Sequence, residues 1–366
     1  MSDAMPVDAL PTLAQIRDAA ARIAPHAVVT PVLRSDVLDA LAGAELHFKC
    51  ENLQRGGAFK FRGACNAVWS LDDGEAARGV VTHSSGNHGN ALALAAATRG
   101  IAAHVVVPEG AVQAKLDAIA RAGGIIHRCA PTQAAREAAA AEVQAQTGAV
   151  LVHPYADTRV MAGQGTLALE LLRQAPTLDS VMTPVGGGGL AAGVAIAAHG
   201  IDPTLSLFGA EPQGADDAVR SLVAGERVTD VVPDTLCDGL RALVGLRNLD
   251  ALRGHRVEVI TVSDAETIAA MRLLWSELKQ VVEVSSATVL AAVLKSRERF
   301  AGRRVGLVLT GGNVDLDALP WGADQAAADS PEGASVGAGT VTCAWTWPGR
   351  WCASACRSSS PTGIGR

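Results

Sequence analysis

The sequence is poor in aromatic residues, with five Phe, six Trp and one Tyr, Tyr155, among 366 residues. It also lacks an excess of positive charge, because 31 Lys and Arg stand against 37 Asp and Glu, for a net charge of -6. Nucleic-acid-binding proteins normally present a basic face, often with aromatic side chains on which bases stack. Both deficits argue against nucleic acid as a partner.

The sequence also lacks the features of a membrane or exported protein. No run reaches the ~18 uncharged apolar residues that a bilayer-spanning helix needs. The N-terminus does not combine a basic start with an apolar run, as a signal peptide does. The seven cysteines include no C-x-x-C spacing, which is typical of reduced thiols. We therefore expect a cytoplasmic protein with no membrane partner.

Apolar residues and glycine are abundant, at 49% hydrophobic residues and 38 glycines. This composition supports a large core, and the length exceeds the roughly 150 residues of one typical domain. Because glycine has no Cβ, its backbone can approach a ligand closely. The glycine content therefore favours an α/β protein that binds a ligand through its backbone.

Short Val-, Ile- and Leu-rich runs alternate with helical patterns along most of the chain. Such alternation predicts parallel sheets covered by helices, an α/β fold. Ser263 precedes Glu266 in the arrangement of an N-terminal helix cap. The predicted strands are 45–50, 79–82, 103–107, 125–128, 150–153, 180–185, 205–210, 257–261 and 304–309. The predicted helices are 87–99, 112–121, 132–146, 165–174, 190–198 and 264–278.

Residues 322–366 break this alternation. They are rich in Ala, Gly and Ser, and they hold three of the six Trp and three of the seven Cys. No periodic apolar face is visible, so we expect this segment to be a disordered tail.

Four consecutive glycines, residues 186–189, follow the predicted strand 180–185 and precede a predicted helix. Free backbone N–H groups at such a junction can converge on an anion, with help from the helix dipole. The run therefore predicts a phosphate site, with a tight structural turn as the alternative. It matches neither the dinucleotide-binding nor the P-loop pattern.

A second candidate anion site is the segment Ser84-Ser85-Gly86-Asn87-His88. It follows the predicted strand 79–82 and opens the predicted helix 87–99. Hydroxyl and N–H groups at a helix N-terminus suit a carboxylate, although helix capping alone would also explain the residue types.

Lys60 lies between Phe59 and Phe61, after the pair Gly56-Gly57. Apolar neighbours disfavour the ammonium ion and lower the pKa of a lysine, which favours a nucleophilic amine that can form a Schiff base. Taken alone, Lys60 is better explained as a surface lysine at a helix start. An amine, a phosphate site and a carboxylate site on one α/β frame together suit pyridoxal phosphate and an amino-acid substrate.

At this point the chain resembles the fold type II pyridoxal-phosphate enzymes, in the branch of serine racemases, serine/threonine ammonia-lyases (threonine dehydratases) and hydroxyaspartate dehydratases. The resemblance runs from about residue 12 to residue 321. The motifs that carry it are ENLQRGGAFKFRGA at 51–64, THSSGNHG at 82–89, AGQGT at 162–166, PVGGGGL at 184–190 and LTGGNVDL at 309–316.

The resemblance implies a role for each matching position. Lys60 would hold the cofactor as a Schiff base and remove the substrate Cα proton, and Ser85 would be the acid/base on the opposite face. The other implied cofactor-binding residues are Phe59, Asn87, Gly186, Gly187, Gly188, Gly189, Leu190, Gly239 and Thr310. The implied substrate-binding residues are Ser84, Ser85, Gly86, Asn87, His88 and Tyr155.

Two opposed bases permit racemisation, whereas one base and a β-leaving group give elimination. Thr310 would face the pyridine nitrogen, and a neutral hydroxyl stabilises a protonated ring less than a carboxylate does. The ring is then a weaker electron sink, which favours β-elimination. The expected activity is deamination of threonine, serine or 3-hydroxyaspartate to a 2-oxo acid and ammonia, with a serine or aspartate racemase as the alternative.

By the same resemblance, Glu211, the Ala215 carbonyl and Asp217 would bind Mg²⁺ or Ca²⁺, which prefer oxygen ligands. Two positions depart from the family pattern. Val284 replaces a common proline after Glu283, which questions the rigidity of that loop. Tyr155 occupies a position that is often Asn in racemases.

The resemblance also implies an architecture. Residues 1–78 and 151–321 would form a large cofactor-binding domain, and residues 79–150 would form a small inserted substrate domain. The cofactor would lie between them, and the chain is expected to form a homodimer.

Overall fold

The computed structural model describes residues 9–321, and these belong to one compact unit. The expectation of a disordered tail at 322–366 lies outside the described residues. Among the residues that the structure describes, no helix is long and apolar enough to cross a membrane.

Two sheets organise the described residues. The larger has the order β1-β2-β10-β7-β8-β9, and the smaller has the order β5-β4-β3-β6. Every pairing is parallel except that of β1 with β2, so the predicted parallel α/β fold is confirmed. The strands are β1 (Val32–Leu33), β2 (Glu45–Cys50), β3 (Val80–Thr82), β4 (Ala103–Pro108), β5 (Ile125–Cys129), β6 (Val150–Leu151), β7 (Ser180–Pro184), β8 (Ser206–Pro212), β9 (Glu258–Val262) and β10 (Arg304–Leu309).

Helices cover both sheets. They are α1 (Leu13–Ile23), α2 (Asp36–Ala42), α3 (Lys60–Trp69), α4 (Asp73–Ala77), α5 (Asn87–Arg99), α6 (Gln113–Arg121), α7 (Gln133–Thr147), α8 (Thr158–Gln174), α9 (Gly189–Ile201), α10 (Asp217–Ala224), α11 (Leu246–Gly254), α12 (Asp264–Glu277), α13 (Val284–Lys295) and α14 (Arg297–Phe300). Short 3₁₀ helices lie at Glu51–Leu53, Arg55–Gly57, Gln213–Ala215, Asp238–Leu240 and Leu316–Ala318.

The larger sheet is buried on both faces. Val181 packs in a cluster with residues of α1, α8 and α9, whereas its neighbour Met182 packs in a cluster with residues of α2, α12 and α13. Successive side chains of a strand point to opposite faces, so one strand serves both clusters. This explains why most of its strands are rich in apolar residues without a regular alternation.

The predicted strands all occur, and two of them have the predicted bounds, 45–50 and 304–309. The predicted cap of α12 is confirmed as a reciprocal arrangement of Ser263 and Glu266. Helix α8 begins at Thr158, before the predicted start at 165. Glycines weaken the helical pattern of its first turns, so the sequence did not predict them. These glycines permit close packing, because a Cβ on Gly163 would lie 2.6 Å from the Arg62 carbonyl oxygen of α3.

The smaller sheet is built from strands between residues 80 and 151, and the larger sheet takes the strands before and after them. This arrangement follows the chain order of the expected inserted domain. Residues 9–321 nevertheless pack as one unit. The division into domains 1–78 with 151–321 and 79–150 therefore stays a prediction.

Candidate active site

A cavity of about 750 Å³ lies at the carboxyl ends of β3, β7 and β10, where ligands of open parallel sheets commonly bind. All the residues expected at the cofactor and the substrate line this one cavity. They are Phe59, Lys60, Ser84, Ser85, Gly86, Asn87, His88, Tyr155, Gly186, Gly187, Gly188, Gly189, Leu190, Gly239 and Thr310.

Lys60 is the first residue of α3, and Phe59 is its N-cap. Its amine donates a hydrogen bond to the Pro154 carbonyl oxygen (2.9 Å) and lies 5.1 Å from the centre of the Phe59 ring. Burial lowers the pKa of Lys60 to about 8, against an opposite effect of the Glu283 charge. The neutral, nucleophilic amine is therefore much more populated near physiological pH than in an ordinary lysine.

The segment around Lys60 is fixed against the chain that follows β10. Ala58 forms an antiparallel bridge with Gly311, and the Phe59 N–H donates to the Thr310 carbonyl oxygen (2.9 Å). The Gly312 N–H donates to the Gly57 carbonyl oxygen (2.9 Å). Two motifs from opposite ends of the described chain thus form one wall of the cavity.

The glycine run lies between β7 and α9, as predicted. Its glycines are required by close packing, since a Cβ on Gly186 would lie 2.8 Å from the Leu240 Cα and one on Gly189 would lie 2.8 Å from the Tyr155 carbonyl oxygen. Gly188 also has φ +82°, which favours glycine. Helix α9 starts here without a side-chain cap, so its first N–H groups remain available to an anion.

Tyr155 lies against the glycine run and lines the cavity. A Cβ on Gly187 would lie 2.4 Å from the Tyr155 Cγ. The other side of the ring meets His153 edge-on, at 4.6 Å between ring centroids. The structure therefore gives Tyr155 a place at the anion-binding end of the cavity.

Residues 84–86 form the turn into α5. Gly86 is the N-cap, without a side-chain cap, and a Cβ on it would meet nothing within 4 Å. Ser84 and Ser85 line the cavity beside it. Hydroxyl groups and the first N–H groups of a 13-residue helix together suit a carboxylate.

His88 does not offer its ring to a carboxylate. Its Nε2 lies 3.2 Å from the Val152 carbonyl oxygen, and a carbonyl only accepts, so Nε2 carries the proton. The buried Nδ1 then has only a lone pair, and it has no hydrogen-bond partner among the described residues. Burial holds the pKa of His88 well below its ordinary value, so the ring stays neutral. Only the backbone N–H of His88 can serve a carboxylate.

Thr310 and Gly239 are held by the segment that begins α13. The Thr310 hydroxyl lies 2.9 Å from the Ser286 Oγ, and the Gly239 N–H donates to the Ser285 Oγ (3.0 Å). Val284, which replaces the common proline, is the first residue of α13. Proline is merely favoured at that position, so the helix forms without it.

The expected metal ligands lie outside the cavity lining, where β8 leads into α10. Glu211 accepts hydrogen bonds from the N–H groups of Ala218 (2.9 Å) and Val219 (3.0 Å), and Asp217 accepts one from Val244 (2.7 Å). Burial raises the pKa of Glu211 to about 8 and also raises that of Asp217. Both carboxyl groups are buried, and the charge of Asp217 acts on Glu211. Within residues 9–321, no group of three His, Cys, Asp or Glu side chains is arranged to hold a metal.

The sequence did not predict that Arg136 and Asn313 belong to the site, nor that Glu283 contacts Asn87. Arg136 and Glu283 line the cavity, and Asn313 bonds to Asn87. Asn313 lies in the motif LTGGNVDL, which supports the family resemblance but does not indicate a role for this residue. Arg136 comes from α7, whose sequence shows no motif.

Comparison with known proteins gives concordant results. The family model described as pyridoxal-phosphate dependent enzyme matches residues 23–311. The β-hydroxyaspartate dehydratase of Paracoccus denitrificans (strain Pd 1222) is 51% identical over 85% of this chain and 99% of that protein. The serine racemase of Arabidopsis thaliana is 49% identical over 83% of this chain and 93% of that protein. The crystal structure of the T.th. threonine deaminase has a TM-score of 0.80 and 42% identity, over 84% of this chain and 99% of that one.

The chain belongs to the family of pyridoxal-phosphate dependent enzymes. The cavity fits this cofactor on its own chemistry. The glycine run leaves no room for side chains and presents the start of a 13-residue helix to a phosphate. Lys60 supplies an amine of lowered pKa, and Phe59 supplies a ring beside it.

Proposed function

We propose that this protein is an ammonia-lyase that converts a small β-hydroxy amino acid to a 2-oxo acid and ammonia, with 3-hydroxyaspartate as the preferred substrate. The lyase class is supported by the similarity to the dehydratase of Paracoccus denitrificans (strain Pd 1222) and to the threonine deaminase. The preference for a dicarboxylic substrate rests on one observation, the buried Arg136 Nε that has no hydrogen-bond partner among the described residues.

The charged residues that line the cavity divide into paired and unpaired groups. Lys115 forms an ion pair with Asp238, Arg227 donates to the Val244 carbonyl oxygen, and Arg241 donates to the Thr235 carbonyl oxygen. Arg136 differs, since its buried Nε has no hydrogen-bond partner in the described chain. The cost of burying an unsatisfied donor is relieved when a ligand supplies the acceptor.

A second carboxylate on the substrate would supply that acceptor. The first carboxylate would bind at Ser84, Ser85 and the first N–H groups of α5, and the second would meet the guanidinium of Arg136. Guanidinium and carboxylate groups match as bidentate partners. Serine and threonine have no such group, so they would leave the Arg136 Nε without an acceptor.

The chemistry follows from the residues that surround the cavity. When bound, pyridoxal phosphate supplies the electron sink that acidifies the substrate Cα–H. Lys60 would take that proton and pass it to the hydroxide that leaves from Cβ, which departs as water. The enamine that remains would then be hydrolysed by water to the 2-oxo acid and ammonia. Thr310 offers the ring only a neutral hydroxyl, which favours elimination over a long-lived carbanion. Ser85 would be the second acid/base, and its presence keeps a serine or aspartate racemase as the alternative.

The test is a substrate panel on the holoenzyme. We expect oxo acid from 3-hydroxyaspartate at a kcat/KM at least about tenfold above those for L-serine and L-threonine. Arg136→Ala should remove this preference by lowering the value for hydroxyaspartate while changing that for serine little. Arg136→Lys keeps the charge and should retain part of the preference, and the exposed Arg121 of α6 provides the control Arg121→Ala.

Three outcomes would contradict the proposal. Absence of oxo acid from every substrate, with cofactor bound, would exclude the lyase. Recovery of inverted amino acid on chiral chromatography, without oxo acid, would establish the racemase. Equal loss on all substrates in Arg136→Ala would leave the lyase and remove the dicarboxylate preference.

Three finer statements belong to the same proposal. Mg²⁺ or Ca²⁺ would bind at Glu211, Ala215 and Asp217, which is supported by the burial of Glu211 and Asp217 and by their electrostatic interaction. A cytoplasmic location is supported by the buried free thiols of Cys50, Cys65 and Cys237. A homodimer is supported by the family resemblance alone. A metal analysis of the purified protein would test the metal site, and gel filtration would test the homodimer.

A further inference from the structure

Three segments of the chain converge on the side chain of Asn87, the first residue of α5. The Asn87 Oδ1 accepts a hydrogen bond from the Asn313 Nδ2 (2.9 Å). The Asn87 Nδ2 donates to both carboxylate oxygens of Glu283, at 3.0 Å each. The amide is thus bound at both ends by side chains that are 226 and 196 residues away in the sequence.

This network determines which way the Asn87 amide points. The Asn313 Nδ2 also donates to the Gly56 carbonyl oxygen (2.8 Å), and a carbonyl only accepts, so that atom must be nitrogen. Its other partner, the Asn87 Oδ1, must then be oxygen. The opposite edge of the Asn87 amide, which faces the Glu283 carboxylate, is the NH₂ group. A reversed amide would place oxygen against carboxylate and nitrogen against nitrogen.

Asn87 is the hydrogen-bond partner of the Glu283 side chain. Glu283 is the N-cap residue of α13, yet its side chain makes no capping hydrogen bond. Its backbone N–H donates to the Gly311 carbonyl oxygen (3.0 Å), which fixes its position. Glu283 is only 7% exposed, and burial raises its pKa to about 7. A carboxylate held in this surrounding, with an amide as its hydrogen-bond donor, has a role that stability alone does not require.

Neighbouring glycines leave the space that both partners occupy. A Cβ on Gly57 would lie 2.3 Å from the Asn313 Oδ1, and one on Gly311 would lie 2.7 Å from the Glu283 Oε1. Any side chain at these glycines would displace a partner of Asn87. The double glycine before Lys60 and the double glycine after Thr310 therefore serve the same amide.

We propose that Glu283 and Asn313 are positioning residues that hold the Asn87 amide with its NH₂ group toward the ring oxygen of the cofactor. One N–H of Asn87 is directed at Glu283, and the second remains to donate to that oxygen. The inference rests on the proposed cofactor-binding role of Asn87. It assigns Glu283 and Asn313 no contact with the reacting atoms, so both act through Asn87.

The test measures the cofactor directly, without turnover. Cofactor-free protein is titrated with pyridoxal phosphate, and the dissociation constant and the visible absorbance maximum of the bound cofactor are recorded. We expect Asn87→Ala and Glu283→Ala to raise the dissociation constant about tenfold and to shift the maximum in the same direction. Glu283→Gln keeps an acceptor for Asn87 and should stay within about threefold of the parent.

Asn313→Asp is the sharpest variant because it changes charge without changing shape, at an exposed side chain. An aspartate at position 313 can accept a hydrogen bond from Asn87 only if the Asn87 amide reverses. The reversed amide would place the Asn87 oxygen against the Glu283 carboxylate. We expect the same absorbance shift as in Glu283→Ala. The control is Glu298→Gln, at an exposed residue of α14, which should leave both quantities unchanged.

The outcomes separate this inference from the proposed function. If Asn87→Ala shifts the absorbance maximum and neither Glu283→Ala nor Asn313→Asp does, the positioning role is overturned. If Asn87→Ala itself changes nothing, the cofactor role of Asn87 is wrong, whereas the lyase proposal is still judged by oxo-acid formation. Circular dichroism identifies unfolded variants, and Asn313→Asp keeps the test decisive if Glu283→Ala does not fold.

Discussion

The reactivity of Lys60 comes from its surroundings. Burial lowers the pKa of its amine to about 8, while the Pro154 carbonyl orients it. The sequence predicted this lowering from the two flanking phenylalanines. The structure shows that the depth of the cavity contributes as well, since helix α3 begins at Lys60 on the cavity wall.

A pH profile tests this lowering of the pKa. The neutral amine is the nucleophile, so its fraction rises with pH and saturates above a pKa of about 8. We expect the rate of cofactor attachment to cofactor-free protein, followed by absorbance, to level off above about pH 8–9. Lys60→Ala should show no attachment. A rate that still rises tenfold per pH unit near pH 10 would show that the lysine is solvated.

Residues outside motifs could not be predicted. Arg136 is one of several charged residues in a helix with an ordinary polar sequence, and only the path of the chain brings it to the cavity. Glu283 lies in a segment that the sequence made recognisable. Its hydrogen bond with Asn87 could not be predicted, because a contact across 196 residues depends on the completed fold.

At the scale of elements, strand-to-helix junctions build the site. Three such junctions follow β3, β7 and the bridge between Ala58 and Gly311, and each carries backbone groups into the cavity. The sequence predicted the strands because buried parallel strands are mostly apolar. It did not predict α3 or the start of α8, since glycines that permit close helix packing also weaken the helical pattern.

Gly187→Ala tests the packing of the junction after β7. The new Cβ would lie 2.4 Å from the Tyr155 Cγ, so the ring or the turn must shift. We expect overpacking to cost about 1–3 kcal/mol, measured by denaturant unfolding, and the cofactor to bind more weakly. Adding Tyr155→Ala should restore part of the cofactor affinity. Gly254→Ala is the control, because its Cβ would meet nothing within 4 Å. Unchanged cofactor binding in Gly187→Ala would contradict the packing described for this junction.

At the scale of the whole molecule, buried charges join distant parts of the chain beneath the site. Arg62, two residues after Lys60, donates to both oxygens of Glu51 (2.7 and 2.8 Å) and of Glu170 (2.8 Å each). Lys49 donates to Glu170 as well (2.6 Å). Although burial opposes its ionisation, the contact with Arg62 holds the pKa of Glu51 below its ordinary value.

Removing Arg62 should therefore destabilise the whole fold. Arg62→Met leaves the Glu51 carboxylate buried without its cation, and we expect a loss of about 3–5 kcal/mol in the free energy of unfolding. Urea denaturation measures it, with Arg297→Met at an exposed position as the control. A loss below about 1 kcal/mol would mean that water or another side chain compensates Glu51.

The pairing of residues 57–59 with residues 310–312 has a consequence for synthesis of the protein. A ribosome makes the chain from its N-terminus, so Lys60 is made early, long before Gly311 and the second half of its wall. The partly made chain has the lysine but lacks the surface that buries its amine and lowers its pKa. Capture of the cofactor is therefore expected to follow translation, as one of the last events in the maturation of the enzyme.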